Sequence, residues 1–112
     1  MIDINPFKGL SLPYTYGVLR KAYSLVWREY KVSRRKFDYL CILRALDDLG
    51  LSLSQSNVRI LYSDGNTKLR YYREWSIEDG YVIDGGLTVK AFQLFEDYGA
   101  EVTRLLSMLE DL

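Results

Sequence analysis

Between Asn66 and Arg73 the chain reads NTKLRYYR, with Lys68, Arg70 and Arg73 spaced around two adjacent tyrosines. Cations held close together can neutralise phosphates, and arginine also carries donors that reach base edges, those of guanine above all. Asn66 and Thr67 stand where a helix start would offer backbone N–H groups to a phosphate. Tyr71 or Tyr72 can touch a phosphate or a thymine methyl. The candidate DNA-binding residues are therefore Asn66, Thr67, Lys68, Arg70, Tyr71 and Arg73. The plainer alternative is a solvated helix face whose tyrosines sit partly in the core.

Other chemistry is sparse. The 112 residues include no histidine and one cysteine, so neither a zinc site of nitrogen and sulfur ligands nor a histidine-activated nucleophile can be assembled. Carboxylates are plentiful, but Asp47-Asp48 and Glu96-Asp97 have the spacing of helix surface rather than of an acid–base pair. The sequence thus predicts a protein that is not an enzyme and has no metal and no cofactor. Cys41, inside the apolar run Tyr39 to Leu43, reads as a small buried side chain. A single cysteine allows no internal disulfide, and a reducing, cytoplasmic setting fits best. The start MIDINPFKGLSLP has no basic segment followed by an apolar run, and no apolar stretch is long enough to span a bilayer, so no membrane association is expected.

The elements that must carry the cations can be read from spacing. With 48% hydrophobic residues the chain suits one domain, residues 1–112. Pro6, Gly9 and Pro13 mark residues 1–13 as an extended arm. Apolar residues from Val18 to Tyr30 recur at intervals of three and four, predicting a first helix over about 14–30. Ser33 caps a second helix, in which Phe37, Leu40, Cys41, Leu43, Ala45, Leu46 and Leu49 are apolar and which Gly50 stops. Leu51-Ser52-Leu53 alternate as a very short strand, and Ser54 caps a third helix through Tyr62. After the turn Ser63-Asp64-Gly65-Asn66, a fourth helix runs from Thr67 to about Asp79 and ends at Gly80. Two short helices joined by a glycine-containing turn form a helix-turn-helix, whose second helix is free to enter a groove.

Tyr81-Val82-Ile83 is β-prone, Asp84-Gly85-Gly86 can reverse the chain, and Thr88 caps a last helix. The hairpin is a minimal wing, so the expected fold is mainly α with a small β-hairpin, a winged helix-turn-helix with long N- and C-terminal helices. Within the last element, residues 88–112, Phe95, Tyr98, Val102, Leu105, Leu109 and Leu112 make a heptad-type seam. It either covers the chain's own first helix or forms a homodimer interface.

The stretch GYVIDGGLTVKAFQLF, residues 80–95, resembles the winged-helix transcriptional regulators of the MarR and PadR kind. In those proteins a glycine ends the recognition helix, an aromatic or apolar residue and an apolar strand follow, and Leu-Thr opens a long helix. Gly80, Tyr81, Val82, Ile83, Leu87 and Thr88 occupy those places here. Weaker similarity runs back to about Phe37. The departures are Ala91 where many relatives have glycine, Ser76 where leucine is usual, and a wing whose tip carries only Asp84. The resemblance implies a dimeric regulator binding duplex DNA through residues 67–77, with an effector the sequence does not identify.

Charge is unevenly spread. Residues 19–36 hold seven cations against Glu29, whereas residues 74–112 hold nine carboxylates against Lys90 and Arg104, within a chain of zero net charge. Arg34, Arg35 and Lys36 are accordingly candidate contacts to the DNA backbone. The same neutrality, with ten tyrosines and an acidic wing, fits a rival reading, a winged-helix protein-interaction module that does not bind DNA.

Overall fold

The computed structural model describes residues 12–62 and 68–110. In chain order these form α1 (Leu12–Tyr30), α2 (Arg34–Asp48), α3 (Gln55–Leu61), α4 (Leu69–Glu78), β1 (Val82–Ile83), β2 (Gly86–Leu87) and α5 (Val89–Glu110). The expected arm lies outside the described residues up to residue 11, and its last two residues, Leu12 and Pro13, open α1 instead, where a proline in the first turn removes no intrahelical hydrogen bond. The turn at 63–66 and the sites Asn66, Thr67 and Leu112 also lie outside the described residues. Among the described residues no helix is long and apolar enough to cross a membrane.

Two compact units are present, Val32–Leu94 and a second made of the chain's two ends, up to Lys31 and from Phe95. In the first, α2 packs on α3, α4 and β2. Its core includes Phe37, Leu40, Leu43, Val58, Leu69, Tyr72, Tyr81 and Leu94, all buried. Burial of each large apolar side chain stabilises the unit by roughly 1.5–3 kcal/mol. The inward residues of α2 follow Phe37, Leu40, Leu43 and Leu46, with Tyr39 beside them. Cys41, Ala45 and Leu49, expected in that core, are exposed instead. They lie on the turn's far side from the 37-40-43-46 stripe, so an apolar run overstates how much of a helix is inward.

Capping explains the boundaries. Ser33 and Ser54 are the N-caps of α2 and α3, their hydroxyls accepting from the Lys36 and Asn57 N–H groups. Both α2 and α4 end in the same six-residue geometry. Leu51 N–H donates to the Leu46 carbonyl at 2.9 Å and Tyr81 N–H to the Ser76 carbonyl at 2.8 Å, across Gly50 and Gly80. Those glycines have φ of 72° and 79°, a region closed to most side chains. The short strand expected at Leu51-Ser52-Leu53 does not form. Leu51 N–H is committed to Leu46, the Asn57 amide takes the Ser52 carbonyl and hydroxyl, and no strand lies alongside.

The hairpin pairs Val82 with Leu87 and Ile83 with Gly86, antiparallel, around Asp84-Gly85. Both turn residues have positive φ, 52° and 77°, the combination that matches a two-residue turn to the twist of its strands. Thr88 then joins three elements: its hydroxyl donates to the Gly80 carbonyl at 2.6 Å and accepts from Ala91 N–H, while its own N–H reaches the Tyr81 carbonyl.

In the second unit Val18 and Ala22 of α1 pack against Val102 and Leu105 of α5, with Leu19, Tyr98, Leu106 and Leu109 around them. The α5 seam therefore covers the chain's own first helix at Val102 and Leu105. Tyr30 adds a polar link by donating its hydroxyl to Asp97.

Candidate nucleic-acid interface

Tyr72 and Tyr71 are neighbours with opposite fates. Leu69, Tyr72 and Ser76 are the buried face of α4. Tyr72 lies inside an aromatic group with Tyr39 and Tyr62, ring centroids 5.8 and 6.3 Å away. Tyr71, one residue earlier and about 100° around the helix, is 55% exposed. Tyr71 is thus the more accessible of the two.

Tyr71 looks onto a groove of about 740 Å³ lined by Arg34, Arg35, Lys36, Lys68 and both tyrosines, with Ser33 at its edge. Two cation sets that are more than thirty positions apart in the chain, 34–36 and 68, thus share one concavity. No carboxylate is among its lining residues. Lys36 is held over two aromatic faces, 5.5 Å from the Tyr71 ring centre and 4.9 Å from that of Trp75. Such contacts fix an ammonium without neutralising it. Trp75 is in turn anchored by its ring N–H to Asp79.

Helix ends add to the field. The first turn of α2 holds Arg34, Arg35 and Lys36 and no acid, and that of α4 likewise has no acid. Cations beside the positive end of a helix dipole are unfavourable by a few tenths of a kcal/mol each unless an anion sits there. Among the described residues no side chain caps α4, whose N-cap position is Lys68. The groove consequently concentrates Arg35, Lys36 and Lys68, together with an Arg34 shared with Asp38, and two helix N-termini, an arrangement suited to phosphate.

The remaining candidates fall elsewhere. Arg70 is bound to Glu74, 3.1 Å away and one turn on, and both are well exposed. Glu78 follows on the same face. Arg73 lines a different cleft with Tyr39 of α2 and Asp84 of the hairpin. Lys68, Arg70 and Arg73 therefore do not form one continuous positive stripe. Arg34 is itself paired with Asp38 at 3.3 Å. The part played by Trp75 was not legible from its own position, whereas the Arg70–Glu74 spacing of four was a visible signal that this arginine would be shared.

Burial and Asp79 together push the Tyr81 phenol up to about 12, and burial also raises Tyr39. Both remain neutral hydrogen-bonding groups across the physiological range. Among the described residues no group of three or more cysteine or acidic side chains is placed to hold a metal ion. Comparison with protein-family models, with curated proteins and with solved structures finds no match for this chain.

Proposed function

We propose that the chain is a winged-helix protein that binds duplex DNA as a transcriptional regulator of the MarR and PadR kind, working in the cytoplasm and not as an enzyme. The observation that carries this reading is the groove where Arg35, Lys36 and Lys68 converge beside the exposed Tyr71, with Arg34, paired with Asp38, at the same concavity and no carboxylate in its lining. The element order, with a two-residue hairpin directly after α4, supports the winged-helix assignment. In this reading the groove grips the phosphate backbone while the start of α4 approaches the major groove. The short wing, with Asp84 at its tip, stays clear of the minor groove. A homodimer formed through exposed parts of α1 and α5, where Tyr14, Met108 and Leu109 line an open apolar groove, would present two such surfaces.

One observation favours a second reading. Glu74 and Glu78 lie on the solvent side of α4, and Ile77 and Ile83 are exposed nearby in sequence, a composition better suited to a protein partner than to DNA. Anisotropy of a mixed pool of labelled duplexes, at low and moderate salt, separates the two. DNA binding predicts affinity that falls with salt on a log–log slope of about −3 to −4, for three or four neutralised phosphates. The Arg35→Ala, Lys68→Ala double variant should lose roughly tenfold in affinity and flatten that slope by about two. A folded protein that binds no duplex even at low salt would leave the interaction-module reading standing instead.

A further inference from the structure

We propose that a second cleft in the Val32–Leu94 unit is a binding site for a small zwitterion, of the class of free α-amino acids with an apolar side chain. The cleft encloses about 480 Å³ and shares no lining residue with the basic groove. That volume is within the range of roughly 300–1,000 Å³ typical of small-molecule sites. Its walls are Tyr39 and Leu43 of α2, Arg73 and Ile77 of α4, and Val82 and Asp84 of the hairpin. Tyr39, Leu43 and Val82 are buried and give the cleft an apolar floor, while residues 52–54 and the Asp84-Gly85 turn complete its lining.

Polar groups at the cleft sort into two kinds. Most are already satisfied. The Ser54 hydroxyl accepts from Asn57 N–H, the Ser52 hydroxyl accepts from the Asn57 amide, and Ser76 donates to the Arg73 carbonyl. Arg73 and Asp84 are different. They carry opposite charges and line the same cleft, yet among the described residues neither is in an ion pair, with the other or with any third group. Both are solvent-exposed, so they stand at the rim of the cleft, and the Arg73 charge acts on the buried Tyr39 phenol.

Asp84 is not required by its turn. Its φ of 52° is the conformation in which asparagine or glycine is at least as comfortable, so the carboxylate contributes nothing that the hairpin needs. A cation and a carboxylate that line one cleft with apolar side chains and are not paired with each other match a ligand with its own carboxylate and ammonium and an apolar side chain. A simple carboxylate would answer Arg73 and be repelled by Asp84, and a simple amine would do the reverse.

The test is calorimetric titration of the full chain, without DNA, using L-leucine, L-phenylalanine, and two monofunctional analogues of leucine, 4-methylpentanoate and 3-methylbutylamine. Saturable binding of at least one amino acid is expected, with both analogues about tenfold weaker or worse. Arg73→Gln and Asp84→Asn should each weaken the amino acid by about tenfold. Asp84→Asn keeps a residue that favours this turn, so a loss there cannot be assigned to misfolding, and urea unfolding of both variants checks the point. The proposal is overturned if neither amino acid binds saturably, if the analogues bind as tightly as leucine, or if both substitutions leave binding unchanged. Because no DNA is present, the outcome is independent of the DNA-binding reading.

Discussion

Cys41 shows how accessibility and acidity can pull apart at a single residue. It is exposed on α2, yet its thiol is crowded enough that desolvation, and then the Asp38 carboxylate one turn back, push its pKa up to about 12. Arg34 lowers it by less. Only the thiolate is nucleophilic, so at pH 8 the reactive fraction is far below that of an ordinary cysteine. Alkylation by iodoacetamide should be slow at neutral pH and keep accelerating tenfold per pH unit beyond pH 9, where an ordinary cysteine levels off. A plateau near pH 9 would show that water reaches the sulfur freely. Gly50 and Gly80 belong to the same scale, since the added Cβ of an alanine would meet nothing within 4 Å and its cost would come from φ alone. That cost is about 1–2 kcal/mol, read as a lower urea midpoint with an unchanged slope for Gly80→Ala.

At the scale of elements, the joint between α4, the hairpin and α5 is where the sequence is most tightly written. Gly80 stops α4, Asp84-Gly85 turns the strands, and Thr88 ties the end of one helix to the start of the next through its hydroxyl. Lys90 reinforces the joint from α5, with its ammonium on the Asp79 carbonyl at 2.6 Å and over the Tyr81 ring at 4.5 Å. Thr88→Val keeps the shape but removes the cap and leaves the Gly80 carbonyl without that donor. A loss of about 1–2 kcal/mol in unfolding free energy is expected, and Thr88→Ser should recover most of it. A loss in Thr88→Ser with none in Thr88→Val would mean that the methyl group, not the hydroxyl, matters.

For the whole molecule, the α5 seam has two possible employers, and burial separates them residue by residue. Leu105 is packed in its own chain with Val18 and Ala22, whereas Met108, on the neighbouring turn, is 54% exposed. Leu105→Ala should cost about 2–4 kcal/mol of stability. Met108→Glu should leave stability nearly unchanged. If the proposed homodimer forms through the exposed α1 and α5 surface, sedimentation of the native chain gives about twice 13.1 kDa, and Met108→Glu returns it to 13.1 kDa. A native chain that already sediments at the single-chain mass would remove the homodimer from the proposal.

Local signals determined the elements. Serines 33 and 54, glycines 50 and 80, and the Asp84-Gly85 turn each act through one or two neighbouring backbone groups, so their effect is readable from a few consecutive residues. That is why helices α2 to α5 and the hairpin were legible, and why the alternating triplet Leu51 to Leu53, which needed a partner strand, was not. The candidate interface was half legible. Lys68 and Tyr71 could be picked out as cation and aromatic, and Arg34 to Lys36 as a basic cluster, but their meeting in one groove depends on how α2 packs against α4. The division of the α4 cations was also a matter of tertiary structure. Residues 68, 70 and 73 sit at different angles around one helix, and only the packing of Leu69, Tyr72 and Ser76 decides that Lys68 faces the α2 cations while Arg73 faces the hairpin. Composition and spacing fix which charges a helix carries; what each charge meets is set by the side of the helix that the core claims.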